Sequence, residues 1–178
     1  MQQSTMEERV RGVVAAQLGA TSYFLELDGI DGESLVKGHE KEIEVASYAW
    51  GAESSSPAAA GGLRTRGTSF QDLQVISPAS KAGPMLMLQC AMGQAIKQAI
   101  LTGIRGRTDK PQDYFMRVTL ENVLISQYST TAAGDGLPTD SIGSKFDKIN
   151  AEYRVMSPDG TPGETIRAGF DLKRNTKM

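Results

Sequence analysis

The sequence predicts a mainly β domain, and three observations carry that reading. Nineteen glycines in 178 residues imply many turns. Segments in which apolar residues alternate with polar ones recur along the chain, separated by stretches rich in Gly, Pro, Ser and Asp. Only one internal stretch reads as a helix. Several turn-separated strands with one helix point to a small closed barrel or a sandwich. The length is that of one ordinary domain, and 39% hydrophobic residues suffice for a sizeable core.

The elements follow in order. Ser4 to Leu18 reads as an extra N-terminal amphipathic helix: Ser4 caps it, Glu7 completes a capping box, and Met6, Val10, Val13, Val14 and Leu18 share one face. That face needs a partner, either the domain or a neighbouring subunit. From Tyr23 the period becomes two: Tyr23, Leu25 and Leu27 alternate with Phe24, Glu26 and Asp28, and "DGIDG" turns the chain. The next strand carries Ile43, Val45, Ser47 and Ala49 on one face, with Ala46, Tyr48 and Trp50 on the other. Gly51–Gly67 has no period and is rich in small residues, so it reads as a long protruding loop. Ser69–Ser77 alternates again on Phe70, Leu73 and Val75. "SPASKAGPMLMLQCAMG" is the internal helix, with Pro84 in its first turn, Met85, Leu86, Leu88 and Met92 as its apolar face, and Gly93 as its stop. "QAIKQAILTGIR" fits helix or strand and is assigned as strand. Tyr114–Thr131 is β-branched and aromatic, one long strand with a bulge near Glu121–Asn122. "SIGSKFDKINAEYRVM" and "TIRAGFDLKRN" supply the last strands.

Charge and cysteine content narrow the function. The net charge is −2 with a pI near 5.5, and no long basic run provides a nucleic-acid footprint. A single cysteine, Cys90, excludes an intrachain disulfide framework and fits a chain that folds in the cytoplasm. Residues 1–21 are too charged for a secretory signal, and no stretch approaches the ~18 apolar residues of a membrane span. If the protein leaves the cell, it is expected to do so without a cleaved signal.

Candidate sites fail on spacing. A calcium loop needs oxygen ligands at alternating positions and a closing glutamate. Counted from Asp28, position three is Ile30; counted from Asp31, position five is Leu35 and the required glycine is missing. "MEERVRGVVAAQLG" with Ser34 in "GESL" resembles an acyl carrier protein, whose serine bears a phosphopantetheine arm. Ser34, however, follows a strand, and no segment supplies the remaining helices. His39 is the only histidine, and only Cys90 is available to join it on a metal. Cys90 is expected in a small buried apolar role. Met85, Met87 and Met92 are expected as core, with a soft effector-binding patch as the alternative. Arg64, Arg66, Arg105 and Arg107 read as rim charges for a neighbour's acidic residues. No phosphate loop is present. The chain is therefore expected to carry no catalytic, cofactor or metal site.

Taken together, "YFLELDGIDGES", "HEKEIEVASYAWG", the small-residue loop, "SFQDLQVI", "SKAGPMLMLQCAMG", "YFMRVTLENVLISQYST", "FDKINAEYRV" and "AGFDLKRN" resemble the haemolysin-coregulated protein (Hcp) family of type VI secretion. They run collinearly from about Tyr23 to Asn175. The resemblance implies a β-barrel of two sheets with one flanking helix and an extended loop. It also implies homohexameric rings that stack into a tube, with sheath, spike protein and effectors as partners, and with neither nucleic acid nor stable membrane insertion. On that reading residues 22–178 are the Hcp-like barrel and residues 1–21 a helical extension that family members lack. Ser47 and Ala49 would face the lumen while Tyr48 and Trp50 fill the core. Glu53, Ser54, Ser55, Ser56, Leu63, Arg64 and Arg66 would form the loop that reaches a neighbouring subunit or ring. The alternatives are a monomeric β-barrel binding module and a carrier-like module using Ser34.

Overall fold

The computed structural model describes residues 21–55, 67–105, 114–157 and 161–178. The predicted helix Ser4–Leu18 lies outside the described residues, as do Ser56, Leu63, Arg64, Arg66 and Arg107. The described residues form β1 (Thr21–Leu27), β2 (Ile43–Val45), β3 (Ser47–Ala49), β4 (Ala52–Ser55), β5 (Gly67–Phe70), β6 (Leu73–Pro78), α1 (Gly83–Met92), β7 (Ala95–Arg105), β8 (Tyr114–Thr131), β9 (Thr139–Lys145), β10 (Lys148–Met156), β11 (Pro162–Asp171) and β12 (Thr176–Lys177). Ten strands make one curled sheet, and β4 with β5 makes a second, two-stranded one. The fold is mainly β with one internal helix, as expected, and the ambiguous "QAIKQAILTGIR" is strand β7.

The sheet curls because two segments change partners. β8 pairs with β10 over Met116–Glu121 and with β9 over Leu124–Thr131. β9 and β10 thus run end to end along one edge of β8, broken only at Phe146–Asp147. Opposite that break, Asn122 takes a left-handed backbone (φ 54), which asparagine tolerates better than most residues. Its side-chain amide donates to the Asp147 carboxylate, which also pairs with Lys173 at 2.7 Å. These hydrogen bonds hold the Asp147 carboxyl below its ordinary range. The stability it contributes is therefore complete above that range and is lost as the pH falls through the lowered value. The bulge expected near Glu121–Asn122 is corrected: the register passes Asn122 unbroken, and β8 shifts register against β9 between Ile125 and Gln127 instead.

The second switch lies at Ala46. β2 pairs with β1, β3 pairs with β6, and the Ala46 amide donates to the Ile76 carbonyl. The alternation shifts by one residue here. Ile43 and Val45 are buried, then Tyr48 and Trp50 pack on the core while Ser47 and Ala49 are exposed. The single alternating face expected from Ile43 to Ala49 is therefore corrected: two short strands with opposite parity replace it. Through this kink the path β1–β7–β8–β9–β6–β3 leads back to β1.

The core is written in cross-strand rows. Leu27, Ala99, Leu120, Ile149 and Phe170 are successive partners across β1, β7, β8, β10 and β11. Leu25, Leu101, Val118, Ala151 and Ala168 form the next row, and Tyr23, Gly103, Met116, Tyr153 and Ile166 the third. In the first row everything up to Ile149 is at most 4% exposed. In the third row Tyr153 is 46% and Ile166 56% exposed. The same apolar face is thus core inside the barrel and uncovered where β10 and β11 run past it.

α1 caps the barrel beside β8, with Pro84 in its first turn and Gly93 ending it in a left-handed conformation. Leu86 is buried and Cys90 packs on the core. Met85, Met87, Leu88 and Met92 are 42–56% exposed. The expectation that Met85, Met87, Leu88 and Met92 face the core is therefore corrected: ten residues without a charge have only a narrow stripe around Leu86 turned inward.

The bend at Asn122 generates a prediction. Asn122→Gly keeps the left-handed backbone and loses one hydrogen bond, whereas Asn122→Val also forces a β-branched residue to positive φ. Urea unfolding is expected to show a loss of about 1 kcal/mol for the glycine variant and roughly 2–4 kcal/mol for the valine variant. Equal losses would remove the backbone argument.

Candidate functional site

Four strands build one surface of uncharged side chains: five small residues, two glutamines and one isoleucine. Across β3, β6, β9 and β8 the partners run Ser47, Ile76, Ser141, Ser129, and in the adjacent row Ala49, Gln74, Gly143, Gln127. None of these eight residues is charged. Between the rows, facing the other way, lie Tyr48, Val75, Ile142 and Tyr128. Period-two geometry forces this sorting: once Val75 and Ile142 are in the core, Gln74, Ile76, Ser141 and Gly143 must face out. A Cβ on Gly143 would stand 3.0 Å from the Gln74 side-chain amide and 3.1 Å from Gln127 Cβ. The missing side chain is what lets the two glutamines close over this point.

The residues behind the wall hold it rigid and neutral. The Tyr48 hydroxyl donates to the Met116 sulfur at 3.0 Å, and its ring meets Tyr23 edge-on at 5.1 Å. Burial first, and then Tyr23, pushes the Tyr48 hydroxyl above its ordinary pKa. Burial likewise raises Tyr128, aided by the Asp140 carboxylate. Both phenols therefore stay protonated at neutral pH. Asp140 is 2% exposed and sits beside Gly83, at the start of α1.

The ribbon β4–β5 stands at one margin of this wall. Glu53, Ser54 and Ser55, expected in an irregular loop, lie in strand β4, paired to Ser69, Thr68 and Gly67. Gln71 donates to the Glu53 carboxylate at 2.9 Å. Phe70 ties the ribbon base to the barrel against Phe146 and Phe170. Ser55 and Gly67 are partners at the end of this two-stranded ribbon.

The other candidates are structural. Ser34 is 3% exposed, and its hydroxyl accepts from the Val36 amide. A buried turn serine offers nothing for an arm to attach to, which corrects the carrier alternative. His39 is also 3% exposed, stacked on Phe24 at 4.4 Å, with Nδ1 3.0 Å from the Glu42 carboxylate. Asp28, Asp31 and Glu33 join no metal-ligand cluster among the described residues. The Arg105 guanidinium lies 4.6 Å over the Phe115 ring and reaches the Tyr153 hydroxyl at 3.4 Å. It is thus engaged within its own chain by one aromatic ring and one hydroxyl. The sequence reading named Ser47 and Ala49 and did not name Gln74, Gln127, Ser129 and Ser141, which share their surface. Their signal was the polar half of the alternation on β6, β9 and the end of β8.

Comparison with known proteins adds an independent line. Residues 24–153 match the family model described as "Type VI secretion system effector, Hcp". The chain is 30% identical over 161 residues to protein hcp1 of Pseudomonas aeruginosa, covering 89% of this chain and 99% of that one. It superposes on Hcp1 from Salmonella typhimurium with a TM-score of 0.74 at 31% identity, covering 89% of this chain and 99% of the other. A structure titled as a type six secretion system protein gives a TM-score of 0.81 at 27% identity, covering 89% and 100%. The cross-strand core, the single capping helix and the ordered landmarks of the sequence agree with these matches: the chain belongs to the Hcp family of type VI secretion system proteins.

Proposed function

We propose that this chain is a structural subunit of the type VI secretion inner tube and performs no catalysis of its own. Copies close into a six-membered ring, rings stack into a hollow tube, and the sheath drives that tube outward with the spike protein at its tip and effectors inside. The chain folds in the cytoplasm and leaves without a cleaved signal.

The observation that carries this reading is the uncharged wall of Ser47, Ala49, Gln74, Ser141, Ser129 and Gln127. A passage for folded cargo needs side chains that are short, wettable and neutral, because charge attracts half of all cargoes and repels the rest. Alanine and serine at the first strand keep the surface low, and amides offer hydrogen bonds without net charge. The same strands bury Tyr48, Val75 and Ile142, so the wall is stiff. The β4–β5 ribbon, with Glu53, Ser54 and Ser55 and, beyond it in sequence, Ser56, Leu63, Arg64 and Arg66, is the element that reaches a neighbouring subunit or ring.

Two measurements test this. Native mass spectrometry across a range of concentrations is expected to show a ring of six copies; monomers alone at every concentration would sink the proposal in favour of a monomeric binding module. Ala49→Trp places a bulky ring on the wall without touching the core. Rings are expected to form while effector co-purification falls by about tenfold, a loss of about 1.4 kcal/mol of binding. Failure of the rings themselves would move Ala49 from the lumen to a subunit contact.

A further inference from the structure

We infer that copies of this chain join head to tail by seating the exposed methionine-rich face of α1 on the uncovered apolar face of β10–β11. This rests on the ring reading and assigns the two surfaces that would make the ring.

Both faces are apolar and, among the described residues, unpartnered. On α1, Met85, Leu88 and Met92 fall at i, i+3 and i+7, one stripe of the helix, and are 43%, 42% and 46% exposed. No residue of the helix is charged. On the sheet, Tyr153, Val155 and Ile166 are 46%, 43% and 56% exposed. They continue the rows that form the core, since Ile166 pairs Tyr153 and Tyr153 pairs Met116. The opposite face of the same two strands is polar, with Arg167 paired to Glu152 at 3.3 Å. The strands therefore keep a polar side and an apolar side, as a strand with cover on one face does, yet among the described residues nothing covers the apolar side at Tyr153, Val155 and Ile166.

The two faces lie on either side of the bend in β8. β10 pairs with the Met116–Glu121 half, whereas α1 begins beside Tyr128 on the other half. One chain's helix therefore stands away from its own sheet face and is free to meet a second copy's. Two unlike surfaces on one subunit give a heterologous contact, the kind that closes into rings. The chemistry matches as well. Flexible thioethers pack well on an aromatic ring, here Tyr153. The charges sit at the margins: Glu164, two residues before Ile166 on the same face, has its opposite in Lys81, two residues before α1.

The test uses two full-length variants, Leu88→Glu on the helix and Ile166→Glu on the sheet, each at an exposed position. Folding is checked by thermal melting of each. Each variant alone is expected to run as a monomer in analytical ultracentrifugation under conditions in which the wild type assembles. A 1:1 mixture is expected to give dimers and nothing larger, because each dimer joins the one intact helix face to the one intact sheet face. Wild-type-sized assembly by either single variant overturns the assignment while leaving the ring reading intact. A mixture that stays monomeric also overturns it. If the wild type is itself monomeric and Ile166→Glu only lowers its melting temperature, residues 1–20 of the same chain cover the sheet face, and the inference falls together with the ring reading.

Discussion

An eighteen-residue strand cannot serve a small barrel unless it bends, and β8 bends at Asn122. Upstream of that point it pairs with β10, downstream with β9, and β7 follows it across the turn. The bend is held from both sides: a left-handed asparagine on one strand, and Phe146–Asp147 at the break of the partner. Phe146 fills the core beneath, at 8% exposure, while Asp147 gathers Asn122 and Lys173 above. Without this joint the uncharged wall, built on the far half of β8, would not turn away from the β10–β11 extension, built on the near half.

That division of β8 organises the molecule's surfaces. On one side of the joint, strand alternation sends small neutral residues out and aromatics in. On the other, the core face runs on past the barrel until Tyr153 and Ile166 meet solvent. Leaving a side chain of that size wet forgoes roughly 1.5–3 kcal/mol of burial. The same reasoning applies to Met85, Leu88 and Met92. On the proposed reading, an assembled subunit recovers both.

Much of this was legible in the sequence. The period of two predicted β1 and β6, β-branched and aromatic content predicted β8, and Pro84 and Gly93 bracketed α1 within a residue or two, because propensity and local hydrogen bonding decide such features; the β7 segment fitted a helix equally well. The polar pair Glu121–Asn122 marked the place where β8 changes partner, but the bulge itself lies further on, between Ile125 and Gln127. The parity change at Ala46 was not, since it arises when a strand leaves one partner for another and nothing local marks the exchange. The methionines were misread for a related reason. A helical stripe of apolar residues says that something covers it, and the chain alone does not say whether the cover is its own core. The wall residues Gln74, Gln127, Ser129 and Ser141 needed the register of three strand pairs before they could be seen as one surface.

The central claim is that the neutral wall borders a passage and the apolar faces border other subunits. Electron cryomicroscopy of the assembled particle tests both at once. The account predicts a hollow ring with Ser47, Ala49, Gln74 and Gln127 on its inner surface and α1 of each subunit against β10–β11 of the next. A particle in which that wall is packed against a neighbour, with α1 bare on the outside, would contradict it.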